Sequence, residues 1–448
     1  MQRLVVALTA AAAFSGIALL ARADDAPGSS QPSETLTGDW GGLRTALTER
    51  NGLEFTITDV NELVGVLSGG LKRAPSYEGR TEFTVEGDLD KLGWKNATGH
   101  VTVYQLRNSG TNTGQNVGSL SDPSNIDALG TTRLFTAWVQ QTWLGKRVSL
   151  RIGQLAADDE FLASSTAAGL INGTFGWPDL HNSNMVSGGP AFPLATPGAR
   201  LALKPADDIT LLGAVFSGNP AGADCSGLPQ ACNRYGTTFS FSGGVLAIGE
   251  VQYAVNQGKA AASLPGVYKF GAWHSTGDYN DLHYGLSASG IVVSLGLDST
   301  AAPIARHGDH GFYGVADQMV WRAGDRSINV FVRGGLVPPD RNQVAGYVDG
   351  GVAFKGLVPG WAEDVLTLGA AYAKLSNDLA TVDAEAGNTV RDHELVLEAS
   401  YTRQITPWWT LQPDIQYIAH PNGGQNPNTP TVRLGNALVL GVRSSVKF

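Results

Sequence analysis

Charged, aromatic and amide side chains of the kinds that could grip a polar solute are scattered along this sequence. Arg80 and Glu82 lie two residues apart in GRTEFTVEGDLDKL. Arg151 lies in KRVSLRIGQL and Arg333 in SINVFVRGG. The stretch 156–198 adds DDEF at 158–161, then INGTFGWPDLHNSN, which brings Asn172, Trp177, Asp179 and His181 together. Planar guanidinium and carboxylate groups can bond adjacent hydroxyls two at a time, and aromatic rings can cover apolar C–H faces. That chemistry suits reversible binding of a polar solute. Each candidate has a plainer reading. The four wall charges can simply be solvated, and Trp177 can be the small core of a capping loop.

Reaction chemistry is poorly supported. Asp158, Asp159 and Glu160 are adjacent and cannot be assumed to flank one scissile bond. His307 and His310, in RHGDH, have no evident third ligand and read as a polar loop tip. Neither a nucleophile elbow nor a phosphate-cradling loop is present. No enzyme activity, metal or other cofactor is expected.

The elements that must position these groups are strands. Near the end of the chain, Leu395, Leu397, Ala399 and Tyr401 alternate with Glu394, Glu398, Ser400 and Thr402. Trp409, Leu411, Ile415 and Tyr417 oppose Thr410, Gln412, Asp414 and Gln416. Leu438, Leu440, Val442, Ser444, Val446 and Phe448 then share a face opposite Arg443 and Lys447. Upstream, Phe83 and Val85 oppose Arg80, Glu82 and Glu86; Phe135, Ala137 and Val139 oppose Thr136, Trp138 and Gln140; Ile328, Val330 and Val332 oppose Phe331 and Arg333. Trp138 is thus in the polar phase, although a ring at a membrane interface is an equal reading. Period-two alternation fits a half-buried antiparallel sheet or a membrane barrel with lipid outside and water inside. Phe448 ends the chain in phase with the apolar face, which favours the barrel.

Short connections such as LKPADDIT and YTRQITPWWT alternate with long ones rich in Gly, Asn, Ser and Pro: 107–132, 156–198, 217–236, 298–311 and 418–434. Alternating short turns and long loops is the outer-membrane barrel pattern. The length allows ~16 to 18 strands of about ten residues. A barrel of that size is too wide for its wall side chains to fill, which leaves an aqueous channel.

Residues 1–23 carry a positive start, an apolar run and an Ala21-Arg22-Ala23 cleavage signal, and read as a secretory leader. Residues 24–35 are polar with Pro27 and Pro32. In 36–52, Trp40, Leu43 and Leu47 recur at helical spacing, with Asp39 able to cap the start and Gly52 the end. Residues 53–448 then read as one barrel. No later run has the ~18 apolar residues of a spanning helix. Mean hydropathy is near zero, because lumen residues dilute lipid-facing ones. The net charge of −9 makes nucleic acid a poor partner. Cys225 and Cys232 are the two cysteines. In an oxidising compartment they form one loop disulfide in preference to two free thiols.

Three blocks carry a family resemblance: LTGDWGGLRTALTERNGLEF at 36–55; AWVQQTW with VSLRIGQLAADDEFLASSTAAGLINGTFGWP within 137–178; and TPWWTLQPDIQYIAHPNGG with NALVLGVRSSVKF at the end. In these the chain resembles the carbohydrate-selective, OprB-like porins of Gram-negative outer membranes. The resemblance implies a sixteen-stranded transmembrane antiparallel β-barrel with a short N-terminal periplasmic helix and loops folded inward to narrow the pore. It also implies passive uptake of glucose and related sugars, with Phe448 as the signal read by the barrel-assembly machinery. On this reading Arg151, Trp177, Asp179, Asn172, Arg80, Glu82 and Arg333 are the constriction candidates. The partners are carbohydrates and outer-membrane lipid, and monomer and trimer both stay open. The rival functions are a general or anion-preferring diffusion porin and, further off, a barrel enzyme.

Overall fold

The computed structural model describes residues 34–110, 112–257 and 263–448. The expected leader, and most of the polar segment after it, lie outside these residues. The alternating segments become strands β1 (Leu53–Ser68), β2 (Pro75–Asp88), β3 (Ala97–Asn108), β4 (Thr131–Trp143), β5 (Val148–Leu155), β6 (Thr196–Leu203), β7 (Ile209–Ser217), β8 (Val245–Val255) and β9 (Gly266–Leu286). They continue as β10 (Val292–Ser294), β11 (Ala302–Ala323), β12 (Arg326–Leu336), β13 (Val344–Lys355), β14 (Val365–Leu375), β15 (His393–Thr406), β16 (Trp409–Ala419) and β17 (Ala437–Lys447). All belong to one antiparallel sheet, which closes where β1 pairs with β17 from Thr58↔Lys447 to Ser68↔Leu438. Sixteen strands form the wall, while three-residue β10 pairs with the tip of β9 alone. Closure gives every one of the sixteen wall strands a partner on both sides, as a hydrocarbon environment requires.

The two faces follow the alternation. Phe83, Leu397, Ile415, Tyr417, Leu440 and Val442 point outward, while Glu398, Gln412, Asp414 and Gln416 are buried inside. Exposed Trp94, Trp143, Trp321 and Trp361 lie at the short-turn end, and exposed Tyr77, Tyr372 and Tyr417 toward the other. These are the aromatic girdles of a membrane barrel.

A short helix, α1 (Leu43–Ala46), continues as a wider turn through Asn51. Gly41 and Gly42 adopt φ of 68° and 91°, so the helix starts later than the spacing of Trp40, Leu43 and Leu47 suggests. Asp39 still accepts the Thr45 N–H (2.9 Å), and Gly52 ends the turn at φ 69°. Arg44 bonds the carbonyls of Phe55 (3.2 Å) and Phe448 (2.6 Å), and the Phe448 N–H meets the Ile57 carbonyl (2.9 Å). The helix therefore sits across the β1/β17 seam.

Three expectations need correction. Most of 298–311 is not a loop, because β9 and β11 run 21 and 22 residues, about twice what a bilayer needs. Their upper halves stand clear of lipid and so need no apolar face. The loop after β7 runs to residue 244, not 236. Gly236, Gly243 and Gly244 take positive φ at the two ends of 236–244, which keeps that stretch out of β8. Phe135 points inward, because a bulge places Thr136 opposite Thr102 but Leu134 opposite Val103. Its ring stacks on Tyr104 at 4.8 Å.

Candidate functional site: a narrowed lumen

Two long connections turn into the bore, 109–130 and 156–195, and polar wall residues catch their backbones. Glu394 accepts the N–H of Leu120 and Ser121, and Glu398 accepts those of Ile171 and Asn172. Asp317 gathers Ser164, Ser165 and Thr166, while Glu250 accepts the Leu162 N–H. Each wall carboxylate thereby satisfies amides that would otherwise be stranded away from water. Apolar packing backs these bonds. Phe161, Leu170, Phe175 and Leu180 join one buried cluster with Trp273, Tyr313, Phe331 and Tyr347 of the wall. Gly369 on β14 permits the approach, since a Cβ there would lie 2.4 Å from Leu170 and 2.9 Å from Phe175. The bore is thus filled on the β9–β16 side, which the channel-width argument did not foresee.

The open space lies on the other side. A cavity of about 320 Å³ is lined by Arg80, Asn125, Asp127, Asp158, Trp177, Phe192, Gln230 and Arg443, among others. Toward the long loops it shares Asn182, Phe192, Pro193 and Gln230 with a second cavity of about 330 Å³. Toward the short turns, a third of about 510 Å³ is lined by Gln140, Asp159, Glu160, Arg200 and Lys269.

The sequence candidates divide between wall and loop. The Arg80 guanidinium lies over the rings of Tyr104 (5.1 Å) and Phe192 (5.4 Å) and 3.6 Å from Glu82. Arg151 lies over Trp138 at 3.8 Å and 3.5 Å from Glu160, and His100 stacks on the far side of Trp138 at 4.5 Å. Trp138 is therefore a lumen ring, not an interfacial one. Trp177 lines the cavity while its indole N–H donates to the Gly188 carbonyl (3.0 Å).

Asn172, Asp179 and Arg333 do not reach open space. Asn172 is buried, capping the Thr174 N–H and donating to Gln416 (2.9 Å). Asp179 is buried and accepts the Ser121 and Thr174 hydroxyls. Arg333 pairs with Asp349 and donates to the carbonyls of Leu162, Thr174, Phe175 and Gly176. These three hold the loop in place: Arg333 reaches from the wall to its buried carbonyls, while Asn172 and Asp179 bond wall and loop side chains from within it.

Sequence reasoning missed Asn125, Asp127, Phe192, Gln230 and Arg443 as cavity-lining residues. Arg443 was legible as a lumen residue from its phase. It pairs with Glu62 and donates to Asn125. Gln230 carries no local signal. Cys225 and Cys232 are joined with Cα atoms 5.6 Å apart. Buried Arg133 bonds the carbonyls of Pro193, Gln230, Asn233 and Arg234, tying the bridged loop to the inward one.

Burial shifts the loop carboxyls upward. Asp127 is pushed to about 10 by burial and then by nearby carboxylates. Asp158 reaches about 6, with burial outweighing the Phe192 N–H and Arg80, and Asp179 reaches about 6, with burial outweighing its hydroxyl donors. Buried His181, in the loop's apolar core, is held neutral at about 3 by burial and by Arg333.

A closed sixteen-strand barrel with an apolar outer band, a polar lining and inward loops around a residual passage is an outer-membrane porin. Residues 72–448 match the family described as "Carbohydrate-selective porin, OprB family", and the chain belongs to that family. It is 25% identical to Porin B of Pseudomonas aeruginosa over 466 residues, covering 97% of this chain and 96% of that one. It is 26% identical to the putative porin QuiX of Acinetobacter baylyi over 429 residues, 88% of this chain and 90% of that one. A solved structure of Pseudomonas putida OprB shares the fold at a TM-score of 0.81 and 21% identity, covering 94% of this chain and all of that one. The chain is a carbohydrate-selective porin of the bacterial outer membrane. Its short turns accordingly face the periplasm and its long loops the exterior.

Proposed function

We propose that this porin passes glucose-like sugars passively through the gap between strands β2–β6 and the loop 156–195, and that Arg80, Asp127, Asp158, Trp177 and Phe192 make the narrowest contacts. The observation that carries this reading is the set of unmatched polar atoms at the cavity. Arg80 Nε, Asp127 Oδ2 and Asp158 Oδ1 are buried without partners, next to the rings of Trp177 and Phe192. A sugar offers hydroxyls at its edge to such donors and acceptors, and C–H faces to such rings. Glu82, Arg151 and Trp138 follow as a second contact zone toward the periplasm. Conduction requires weak binding at each point, of the order of millimolar, or roughly −4 kcal/mol.

Export would follow removal of 1–23, and Phe448 would serve as the signal for barrel assembly. Liposome swelling with a panel of monosaccharides and amino acids, combined with single-channel current, tests the proposal. Sugars should enter fastest and block the current. Equal entry of amino acids without sugar block would replace it with a general diffusion pore.

A further inference from the structure

At the exterior rim, two loops converge on Asp392, His393 and His420, whose ligating atoms all lie within 4.8 Å of one another. His393 Nδ1 is 3.2 Å and His420 Nδ1 3.0 Å from the same oxygen, Asp392 Oδ1. Donors bound tetrahedrally at about 2.0–2.1 Å stand roughly 3.3 Å apart, so each imidazole nitrogen already stands near that separation from the carboxylate oxygen. We infer that Asp392, His393 and His420 form a binding site for a divalent transition metal, of the zinc and cobalt class, which clips the loop 376–392 to the loop 420–436.

The site is built rather than accidental in its supports. Buried Asp383 accepts from Arg391, next to Asp392, at 2.8 Å and from Gln425, beyond His420, at 3.0 Å, which fixes both loops relative to each other. The His393 ring stacks on Tyr372 at 5.1 Å and tilts against His420 at 4.5 Å. His420 sits in the left-handed region at φ 52°, which turns its side chain back toward Asp392. Strand phase places the cluster away from the passage. Glu394 points inward to Leu120 and Ser121, so His393 projects to the outer face, where Tyr372 and Leu397 are exposed.

Two features oppose a cation. The Asp392 oxygen also accepts the His393 N–H at 2.6 Å, and Arg433 Nη2 lies 2.8 Å from His420 Nε2. Arg433 is a direct competitor in charge, and a metal on Nδ1 would place a proton on the Nε2 it now faces. Imidazole must be neutral to ligate, so binding weakens as pH falls.

The test uses the full-chain barrel in detergent, stripped of metal and titrated with Co²⁺ while the visible d–d bands are recorded. The expected result is one Co²⁺ per chain with tetrahedral intensity, displaced by Zn²⁺. His393→Ala and His420→Ala should each bind at least tenfold more weakly, and Arg433→Ala several-fold more tightly. Heat-modifiable gel mobility reports folding of each variant. Asp392→Asn, which keeps the side-chain shape, gives a second loss-of-ligand readout should a histidine variant not fold. No saturable band, or a band unchanged in His420→Ala and Asp392→Asn, would overturn the site.

Discussion

Arg333 of β12 and Asp349 of β13 face each other directly in register, with Arg333 Nε 3.1 Å from Asp349 Oδ1, and both are buried. The remaining guanidinium hydrogens go to four carbonyls of the inward loop. This ion pair thus joins the wall carboxylates and the apolar cluster in holding the constriction. Removing one member of a buried pair costs roughly 3–5 kcal/mol, because the other is left uncompensated. Arg333→Ala should therefore release 162–176 while leaving the barrel intact. Hydrogen exchange of those amides should speed up and single-channel conductance should rise. Unchanged exchange would show that the apolar cluster and the other wall carboxylates hold the loop without Arg333.

Gly369 makes a complementary case. A leucine there would meet Leu170 and Phe175, with the Cβ already 2.4 Å from Leu170 Cδ1. Overpacking of this kind costs about 1–3 kcal/mol, and the mobile partner is the loop, not the sheet. Gly369→Leu should widen the passage, raising ion conductance and weakening sugar block together. A narrower or unaltered channel would contradict the placement of the loop against β14.

Arg80 and Arg151 are both lumen arginines in different states. Arg80 has an unmatched Nε at the cavity, whereas Arg151 is shared among Trp138, Gln140 and Glu160. A hydrogen bond to a charged group is worth about 1.5–3 kcal/mol. Arg80→Ala should weaken sugar block at least tenfold. Arg151→Ala should weaken it by a smaller factor without unfolding the barrel. Equal block in Arg80→Ala and wild type would move the narrow point elsewhere.

Protonation should tune the channel. Asp158 and Asp179 rise from the ordinary 3.8 to about 6, burial being the main cause for both. Because the folded value is the higher one, the loop is favoured by their neutral forms. That contribution is complete below about 4 and is lost as pH rises through about 6. From pH 7.5 to 5 the loops should dock more firmly and the passage should lose negative charge. Reversal potentials in a KCl gradient should show cation preference falling over this window, with a flatter response in Asp158→Asn. A pH-independent reversal potential would refute it.

The sequence alone determined the wall. Membrane strands must show lipid one face and water the other, so the period-two pattern of β15, β16 and β17 specified fold and phase, and that of β2, β5 and β17 the inward direction of Arg80, Arg151 and Arg443. It did so because alternation is a local property of neighbouring residues. The tertiary structure alone decided which polar groups remain free for solute. Asn172, Asp179 and Arg333 have the same residue types as true lining groups, yet partners inside the fold use up their hydrogen-bonding capacity: Gln416 and the Thr174 N–H for Asn172, the Ser121 and Thr174 hydroxyls for Asp179, and loop carbonyls for Arg333. Asp127, Phe192 and Gln230 reach the cavity only because three separate loops meet there. Such partners lie tens to hundreds of residues apart in the chain, and no local spacing encodes their encounter.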